Sequence, residues 1–265
     1  MKKIIIFSAI ISLFCVSCNS DEDLFDQSSG ERIEVIWTDV EQILNQAPNG
    51  WSMEFYYDET LSYGGIQMLM RFEDGFVEIT SENEESDFTD RSTYSYAHDG
   101  GASINFDTYN DALHRYSEPS SSNTAGMGGD FEFIIVSYSS EKIVLTGKRN
   151  GVTYTLTPLA DERSWSDIMD DYKALVEEMS KLSSYTFVVD GLQYEMELDS
   201  DRTQQNRRLL YTDPFGDGSV EIVPFVYTFT GIKFYEPLDF DGIIVEEMEW
   251  NGKKFIDAET GAVLG

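Results

Sequence analysis

The sequence of 265 residues is poor in the side chains that bind metals and carry nucleophilic chemistry, with only two cysteines and two histidines. Both cysteines, Cys15 and Cys18, lie at the end of an apolar run near the amino terminus. A zinc or redox pair needs a folded context, such as a second C-x-x-C pair or a thioredoxin-like unit, and the sequence has neither. It also has no H-E-x-x-H motif, G-x-S-x-G elbow or phosphate-binding loop. We therefore predict no catalytic residues, no metal and no cofactor, and lean away from an enzyme.

Positive charge is also scarce. The chain has 18 lysines and arginines against 49 aspartates and glutamates, and its formal net charge is −31. A surface of this sign repels nucleic-acid phosphates and anionic headgroups, so we predict no nucleic-acid binding and no membrane contact beyond an anchor. Acidic runs such as Ser81–Asp90 are typical of solvated surface rather than of sites. The aromatic fraction of 14% is high and favours a packed globular core.

No hydrophobic run is long enough to span a bilayer, but a shorter one opens the chain. Residues 1–17 have a basic start, the apolar stretch "IIIFSAIISLF" and small residues before Cys18, which is the pattern of a signal peptide. Cleavage before Cys18 and acylation of its thiol, for example with palmitate, would hold the protein on the outer membrane. The alternatives are plain secretion with cleavage nearby and, least favoured, a metal or redox pair with Cys15.

Residues 18–30 are an acidic lipoprotein tether in this interpretation. Their "SDED" stretch resembles the export signal that sends Bacteroidetes-type lipoproteins to the outer face of the outer membrane; it consists of Ser20, Asp21, Glu22 and Asp23. This resemblance implies a lipid-anchored, surface-exposed protein. The alternatives are a merely solvated tether and a position on the periplasmic face.

Hydrophobic periodicity predicts the fold class α+β, with two similar units that each consist of an amphipathic helix followed by an antiparallel β-meander. In residues 31–160, helical spacing over Ile33–Leu44 precedes alternating, strand-like segments, and the Asp74-Gly75 pair predicts a tight hairpin. Residues 161–265 repeat this layout, with a helix whose serine and aspartate near its start suit an N-cap. The alternative is one large curved sheet that carries two helices.

A candidate ligand site lies in the loop "FDTYNDALHRYSEP", which combines acids, aromatics and a histidine. The side chains predicted to contact a ligand are Asp107, Tyr109, His114 and Tyr116. Exposed aromatics form stacking platforms for sugars or recognition surfaces for proteins. The alternative is that His114 is hydrogen-bonded to a neighbouring carboxylate, because a metal site usually needs a second imidazole or thiolate. Aromatics that alternate on strands are more often core.

Several stretches carry a resemblance to a known family. They are "APNGWSMEFYY", "YGGIQMLMRFEDG", "INFDTYNDALHRYSEPS", "GGDFEFIIVSYSSEKIVLTGKRNG" and "GIKFYEPLDFDG", in which "NGW", "FDTYN" and "FYEP" are the most particular marks. Over about residues 18–260 the chain resembles the Bacteroidetes lipoprotein family called domain of unknown function 4302. The resemblance implies a cell-envelope lipoprotein, often encoded near uptake systems of the starch-utilisation type, with no established activity. Members often run longer at the C-terminus, which raises the expectation of a truncated chain.

Together these observations predict an outer-membrane surface lipoprotein that serves as a non-enzymatic ligand-binding or accessory component of a glycan or peptide uptake system. Its expected partners are the outer membrane, through the acyl anchor, and a complex of a TonB-dependent porin with a surface lipoprotein. Two alternatives stay open. One is a glycan hydrolase that uses a pair of carboxylates, and the other is a structural envelope protein that binds partners through sheet edges.

Overall fold

The computed structural model describes residues 28–119, 124, 126–182, 185–199, 207–212 and 218–265. Their strands form two closed antiparallel barrels of eight strands each. Barrel 1 consists of β1 (Trp51–Tyr56), β2 (Gly65–Glu73), β3 (Phe76–Ser81), β4 (Asp90–Ala97), β5 (Ser103–Phe106), β6 (Glu132–Tyr138), β7 (Ile143–Gly147) and β8 (Thr153–Pro158). Barrel 2 consists of β9 (Tyr185–Val189), β10 (Leu192–Leu198), β11 (Arg208–Thr212), β12 (Val220–Tyr227), β13 (Gly231–Phe240), β14 (Ile243–Trp250), β15 (Phe255–Ile256) and β16 (Val263–Leu264). The helices are α1 (Ser29–Asn45), α2 (Asp111–His114) and α3 (Trp165–Met179).

The predicted fold class was wrong. The protein is mostly β, with 45% of its residues in strands and 16% in helices, and it has neither two helix-plus-meander units nor one curved sheet. The pairs that close the barrels join the first strand of each to its last: Trp51 lies opposite Pro158, and Val188 lies opposite Val263. Because no turn connects these paired strands, alternation and turn residues do not reveal that they are neighbours.

The predicted Asp74-Gly75 hairpin is confirmed. Glu73 of β2 lies opposite Phe76 of β3, which leaves a two-residue turn, and Asp74 and Gly75 have φ angles of 48° and 79°. Positive φ at both turn residues gives a twist that matches the strands on either side. Turns of the same kind join two further strand pairs in barrel 2, at Asp190-Gly191 and Asp241-Gly242.

Helix α1 packs on the core of barrel 1. It begins at a capping box, in which the Glu31 N–H donates to the Ser28 hydroxyl (3.3 Å) and the Ser28 N–H donates to the Glu31 carboxylate (2.8 Å). Val40 and Leu44, one turn apart, are buried among the apolar side chains of the barrel. The Trp51 indole N–H donates to the carbonyl of Leu44 (3.1 Å), which ties the end of the helix to the start of β1.

Side chains fill the interior of barrel 1. Large residues that are fully buried there include Trp51, Phe55, Phe133 and Tyr154. The cavity between α1 and the strands has a volume of about 10 Å³ and an entirely apolar lining. That is room for about one water molecule, and an apolar cavity of this size stays dry. The interior of barrel 1 is therefore a packed core rather than a ligand chamber.

Helix α3 packs where the two barrels meet. Its predicted N-cap is confirmed, since the Asp167 N–H donates to the Ser164 hydroxyl (3.2 Å). Its buried residues are Trp165, Ile168, Met169, Tyr172 and Met179. They belong to the core cluster of barrel 2, and Leu69 of barrel 1 joins the same cluster. None of the described helices is both long enough and apolar enough to cross a membrane.

Candidate ligand-binding cleft

The four residues predicted to contact a ligand are divided between surface and core. Asp107 and Tyr109 are exposed, with 51% of the Tyr109 surface open to solvent. His114 and Tyr116 are buried. The Tyr109 and His114 rings are in contact, with centroids 5.3 Å apart. The four side chains therefore do not share one exposed face.

His114 is held by packing and by hydrogen bonds between its imidazole and the backbone at Phe106 and Asn110. The Asn110 N–H donates to His114 Nδ1 (3.1 Å), and the imidazole stacks on Phe131 with ring centroids 4.5 Å apart. Burial lowers the pKa of His114 below its ordinary value of 6.5, since the charged form is poorly solvated there. These contacts make His114 part of the packing beneath α2.

Tyr116 belongs to the core of barrel 1. Its ring centroid lies 5.6 Å from that of Phe55 and 5.1 Å from that of Tyr57. Its hydroxyl lies 3.0 Å from the Ser81 hydroxyl, and the Asn83 amide donates to it (3.1 Å). Burial raises the pKa of this hydroxyl, so it stays protonated and bonded inside the barrel.

The residues that the sequence assigns to lipidation and export lie outside the described part of the chain. They are Cys18, Ser20, Asp21, Glu22 and Asp23, together with the predicted leader.

A cleft of about 370 Å³ opens between the loop at residues 58–64 of barrel 1 and the strands β12 and β13 of barrel 2. This volume lies within the range of small-ligand sites, about 300–1,000 Å³. Its apolar lining includes Leu61, Tyr211, Ile222, Pro224, Tyr235 and Leu238. Ile222 is 53% exposed and presents an open aliphatic surface within the lining. The cleft thus combines open apolar surface with walls from both barrels.

A long bulge in β13 shapes one wall of the cleft. Lys233 pairs with Glu247, but the next pair is Leu238 with Val245, so β13 advances five positions while β14 advances two. The bulge contains Pro237, which has no N–H to donate to a neighbouring strand. Its extra residues bend the strand and turn side chains outwards.

This cleft was not predicted from the sequence, although a signal was present. The stretch "FYEP" occupies Phe234–Pro237, and a proline within a strand-like segment indicates a bulge or an edge. The other two particular stretches have structural roles. Trp51 of "NGW" is buried in barrel 1, and Asn110 of "FDTYN" caps α2 with its side chain, which accepts from the Ala112 N–H (3.1 Å).

Negative charge surrounds the cleft. Glu221, Glu236 and Asp239 line it and are exposed, and its described lining contains no lysine or arginine. The Asp239 carboxylate accepts from the Gly242 N–H (2.7 Å), while Glu221 accepts from the Ser219 hydroxyl (3.2 Å). An anionic ligand would meet repulsion at this site, and a cationic group would be attracted.

Contacts on either side hold the two walls in place. Tyr235 of β13 accepts a hydrogen bond from the Thr153 N–H of barrel 1 (3.0 Å), and its ring packs edge-on against Tyr56 at 4.8 Å. Lys233 donates to both carboxylate oxygens of Glu54 (2.8 and 3.0 Å). Because these bonds cross from one barrel to the other, the cleft is preformed.

A buried ion pair strengthens the same contact between the barrels. Arg207, just before β11, pairs with Glu82, just after β3, and the two side chains are only 7% and 5% exposed. Arg207 Nη1 also donates to the Gly65 carbonyl (2.8 Å), and the Tyr172 hydroxyl donates to Glu82 (2.6 Å). Burial by itself would lower the pKa of the Arg207 guanidinium, but the charge and hydrogen bond of Glu82, together with Tyr172 and Tyr57, raise that pKa above its usual range.

A second depression, of about 740 Å³ and more open, lies over β14 and the turn before β16. Glu246, Glu247 and Asp257 line it, and burial raises the pKa of Glu247. Asp257 is used locally, since it accepts from the Glu259 N–H (2.9 Å) and the Thr260 hydroxyl (2.6 Å). Among the residues that the structure describes, no group of three or more histidines, cysteines, aspartates or glutamates is arranged to hold a metal.

Each described strand has a paired neighbour on both sides. Docking through an open sheet edge would therefore find no free strand in that part of the chain.

The fold and the cleft define a class of protein: two β-barrels, the first with a filled interior, that offer a preformed external cleft where they meet. The chain matches the family model described as Domain of unknown function (DUF4302) over residues 21–252, and it belongs to that family. Neither the curated proteins nor the solved structures contain a significant match.

Proposed function

We propose that this protein is a lipid-anchored binding component of a nutrient-uptake system at the surface of the outer membrane, and that its ligand occupies the cleft between the barrels. The observation that carries the binding role is the cleft itself. It has the volume of a ligand site, an exposed apolar floor around Ile222 and acidic groups at its rim. Walls fixed by bonds between the barrels reduce the entropy lost on binding.

The proposal of a lipid anchor is supported by the sequence around Cys18. A short apolar leader that ends at a cysteine supports acylation of that residue, and the acidic residues at positions 20–23 support export to the outer face. A TonB-dependent porin with its surface lipoprotein is the partner complex that this setting favours. An acyl anchor leaves the whole folded part of the chain available to such a partner.

The anchor is tested by comparing Cys18→Ser with Cys15→Ser in cells fed a clickable palmitate analogue. We expect Cys18→Ser to lose the label, because it lacks the thiol that is acylated. Cys15→Ser is the matched control and should remain labelled, since that residue is removed with the leader. Equal labelling of the two variants would contradict the proposal. Protease added to intact cells then separates an external position from the periplasmic one.

The binding role is tested by thermal-shift screening of the full-length protein in detergent against oligosaccharides and short peptides. A ligand present at 100 times its Kd adds about 2.7 kcal/mol of stability, which is easily detected. Ile222→Asp should abolish the shift, because it places a charge on the apolar floor. Val136→Asp is the control, since Val136 is 60% exposed on a strand of barrel 1 away from the cleft. Equal thermal shifts in both variants would exclude the cleft as the binding site. Cleavage of an oligosaccharide by the protein would favour the alternative of a glycan hydrolase.

A further inference from the structure

The most exposed apolar side chain that lines the cleft is aliphatic, and the two aromatic side chains of the lining, Tyr211 and Tyr235, are half-buried. Ile222 lines the cleft and is 53% exposed, and Val220, two positions before it on the outer face of β12, lies beyond the lining and is 59% exposed. The aromatic ring of Tyr235 is half-buried, packs against Tyr56 and has its hydroxyl bonded to the Thr153 N–H. Sugars bind by stacking on open aromatic faces, whereas aliphatic side chains of a ligand pack well on isoleucine and valine. The floor of the cleft is therefore better suited to a peptide than to a glycan.

This aliphatic strip continues the contact that already joins the barrels. Alternate residues of a strand share one face, so Val220, Ile222, Pro224 and Val226 lie on the outer face of β12. Val226 is fully buried in the core cluster of barrel 1, Pro224 is half-buried, and the other two are exposed. Leu210 of β11 lies directly opposite Ile222 and widens the strip. One apolar surface thus extends from the interface between the barrels, at Val226, to Ile222 in the cleft, where it is open to solvent among the described residues.

The carboxylates beside the aliphatic strip favour a positively charged ligand. Glu236 projects from the bulge of β13, is exposed, and makes no hydrogen bond or ion pair with any residue that the structure describes. Glu221 and Asp239 add two further carboxylates to the lining. A lysine or arginine side chain reaching from the strip to Glu236 would satisfy a carboxylate that otherwise faces only water. The charge of the site is complementary to a cation and to no anion.

The size of the site limits the length of the ligand. From Val220 to Pro224 the strip covers four residue steps, about 13 Å of extended strand, which an extended segment of about four residues would match. A cleft of about 370 Å³ lies near the lower end of the volumes of small-ligand sites, about 300–1,000 Å³. A short free peptide fits these dimensions.

Building on the binding role proposed above, we propose that the cleft binds short, extended peptides in which lysine or arginine alternates with aliphatic residues. The aliphatic side chains pack on Ile222 and Val220, and the cationic side chain lies against Glu236. Peptides of this composition are products of proteolysis, so the reaction that supplies the ligand is peptide-bond hydrolysis outside the protein.

The test uses fluorescence polarisation of full-length protein in detergent with the labelled tetrapeptide Lys-Val-Arg-Val. Its acidic counterpart Glu-Val-Glu-Val and the neutral sugar maltohexaose are compared as competitors. We expect Glu236→Gln to weaken binding of the basic peptide about two- to fivefold, the effect of one exposed charge pair. Ile222→Ser should weaken it about five- to tenfold through lost apolar contact. Glu141→Gln and Val136→Ser, at exposed positions of barrel 1, are the matched controls and should bind as the parent protein does.

Each other outcome overturns a defined part of the reasoning. If the acidic peptide competes as well as the basic one, the charge argument is wrong. If maltohexaose binds, is lost in Ile222→Ser, and no peptide binds, the ligand class is wrong while the cleft remains a binding site. If no peptide or sugar binds in a way that the cleft variants alter, both this inference and the proposed binding function fall. Circular-dichroism melts of every variant ensure that lost binding is not lost folding.

Discussion

The ion pair between Glu82 and Arg207 allows the sharpest test of how the two barrels are held together. Replacement of Glu82 by glutamine preserves the shape of the side chain and keeps one oxygen for its other partners. Those partners are the Gln67 N–H (2.9 Å) and the Tyr172 hydroxyl (2.6 Å). The change therefore removes the negative charge with little alteration of packing, and leaves the guanidinium of Arg207 buried without a counter-charge.

The expected cost follows from that burial. The side chains of Arg207 and Glu82 are 7% and 5% exposed, so water cannot replace the lost carboxylate. Breaking a buried pair by removing one partner costs about 3–5 kcal/mol of unfolding free energy. At about 2–4 °C per kcal/mol for a chain of this size, the melting temperature should fall by about 6–20 °C. Arg207→Met should lower the unfolding free energy by a similar amount. The double variant should lose about 2 kcal/mol less than the two single variants added together, because the two residues act together.

Urea unfolding followed by tryptophan fluorescence measures these changes, and the double-mutant cycle isolates the pair. Glu178→Gln is the control, because it breaks an exposed pair with Lys181 and should leave the midpoint unchanged. The reasoning is refuted if Glu82→Gln unfolds within about 1 kcal/mol of the parent protein, well short of the cost of a buried charge.

Two further predictions follow from the packing of single residues. The lowered pKa of His114 means that the fold favours the neutral imidazole, so its contribution to stability is complete above pH 6.5 and is lost as the pH falls below that value. In His114→Gln the unfolding free energy should therefore change less between pH 7.5 and pH 5 than in the parent protein, and an equal change would contradict this account. Gly64 has a φ of +69°, and a Cβ there would collide with the backbone of Arg207, so Gly64→Ala should destabilise by about 2–4 kcal/mol in the same urea assay. Gly242→Ala, with φ of +90° and open space around it, should cost only about 1 kcal/mol, and equal losses in the two variants would show that the contact with Arg207 has no role.

Local features of the fold could be predicted from the sequence because short segments determine them. The Asp74-Gly75 turn follows from the backbone freedom of those two residue types, and the N-cap at Ser164 from a hydroxyl placed three residues before an aspartate. Barrel closure could not be predicted in this way. The pairing of Trp51 with Pro158 depends on the accumulated twist and tilt of eight strands, to which each strand contributes little.

The candidate site was harder to predict than the strands, because it depends on how the two barrels meet. Tyr116 lies in the loop that the sequence favours as a ligand site and turns into the core, whereas Tyr235 lies in a strand and lines the cleft. The direction of Tyr235 is set by the bulge that precedes Leu238, where alternation along the strand is interrupted. The sequence favoured a charged loop that contains a histidine as the ligand site, rather than a strand that contains a proline. In that loop His114 and Tyr116 are buried, while Asp107 and Tyr109 are exposed.

The closing pairs of the barrels also bear on how the chain is delivered. The pairing of β1 with β8 places Trp51 opposite Pro158, and the loop closure that brings such distant residues together makes this topology slow to fold. Barrel 1 cannot close until its last strand is available, and the Arg207 contact must form later still. A chain that carries the proposed leader needs to remain unfolded until it has crossed the inner membrane. In the proposed export, late closure would give the machinery that interval, and it would make the time of folding, as well as the final structure, a consequence of strand order.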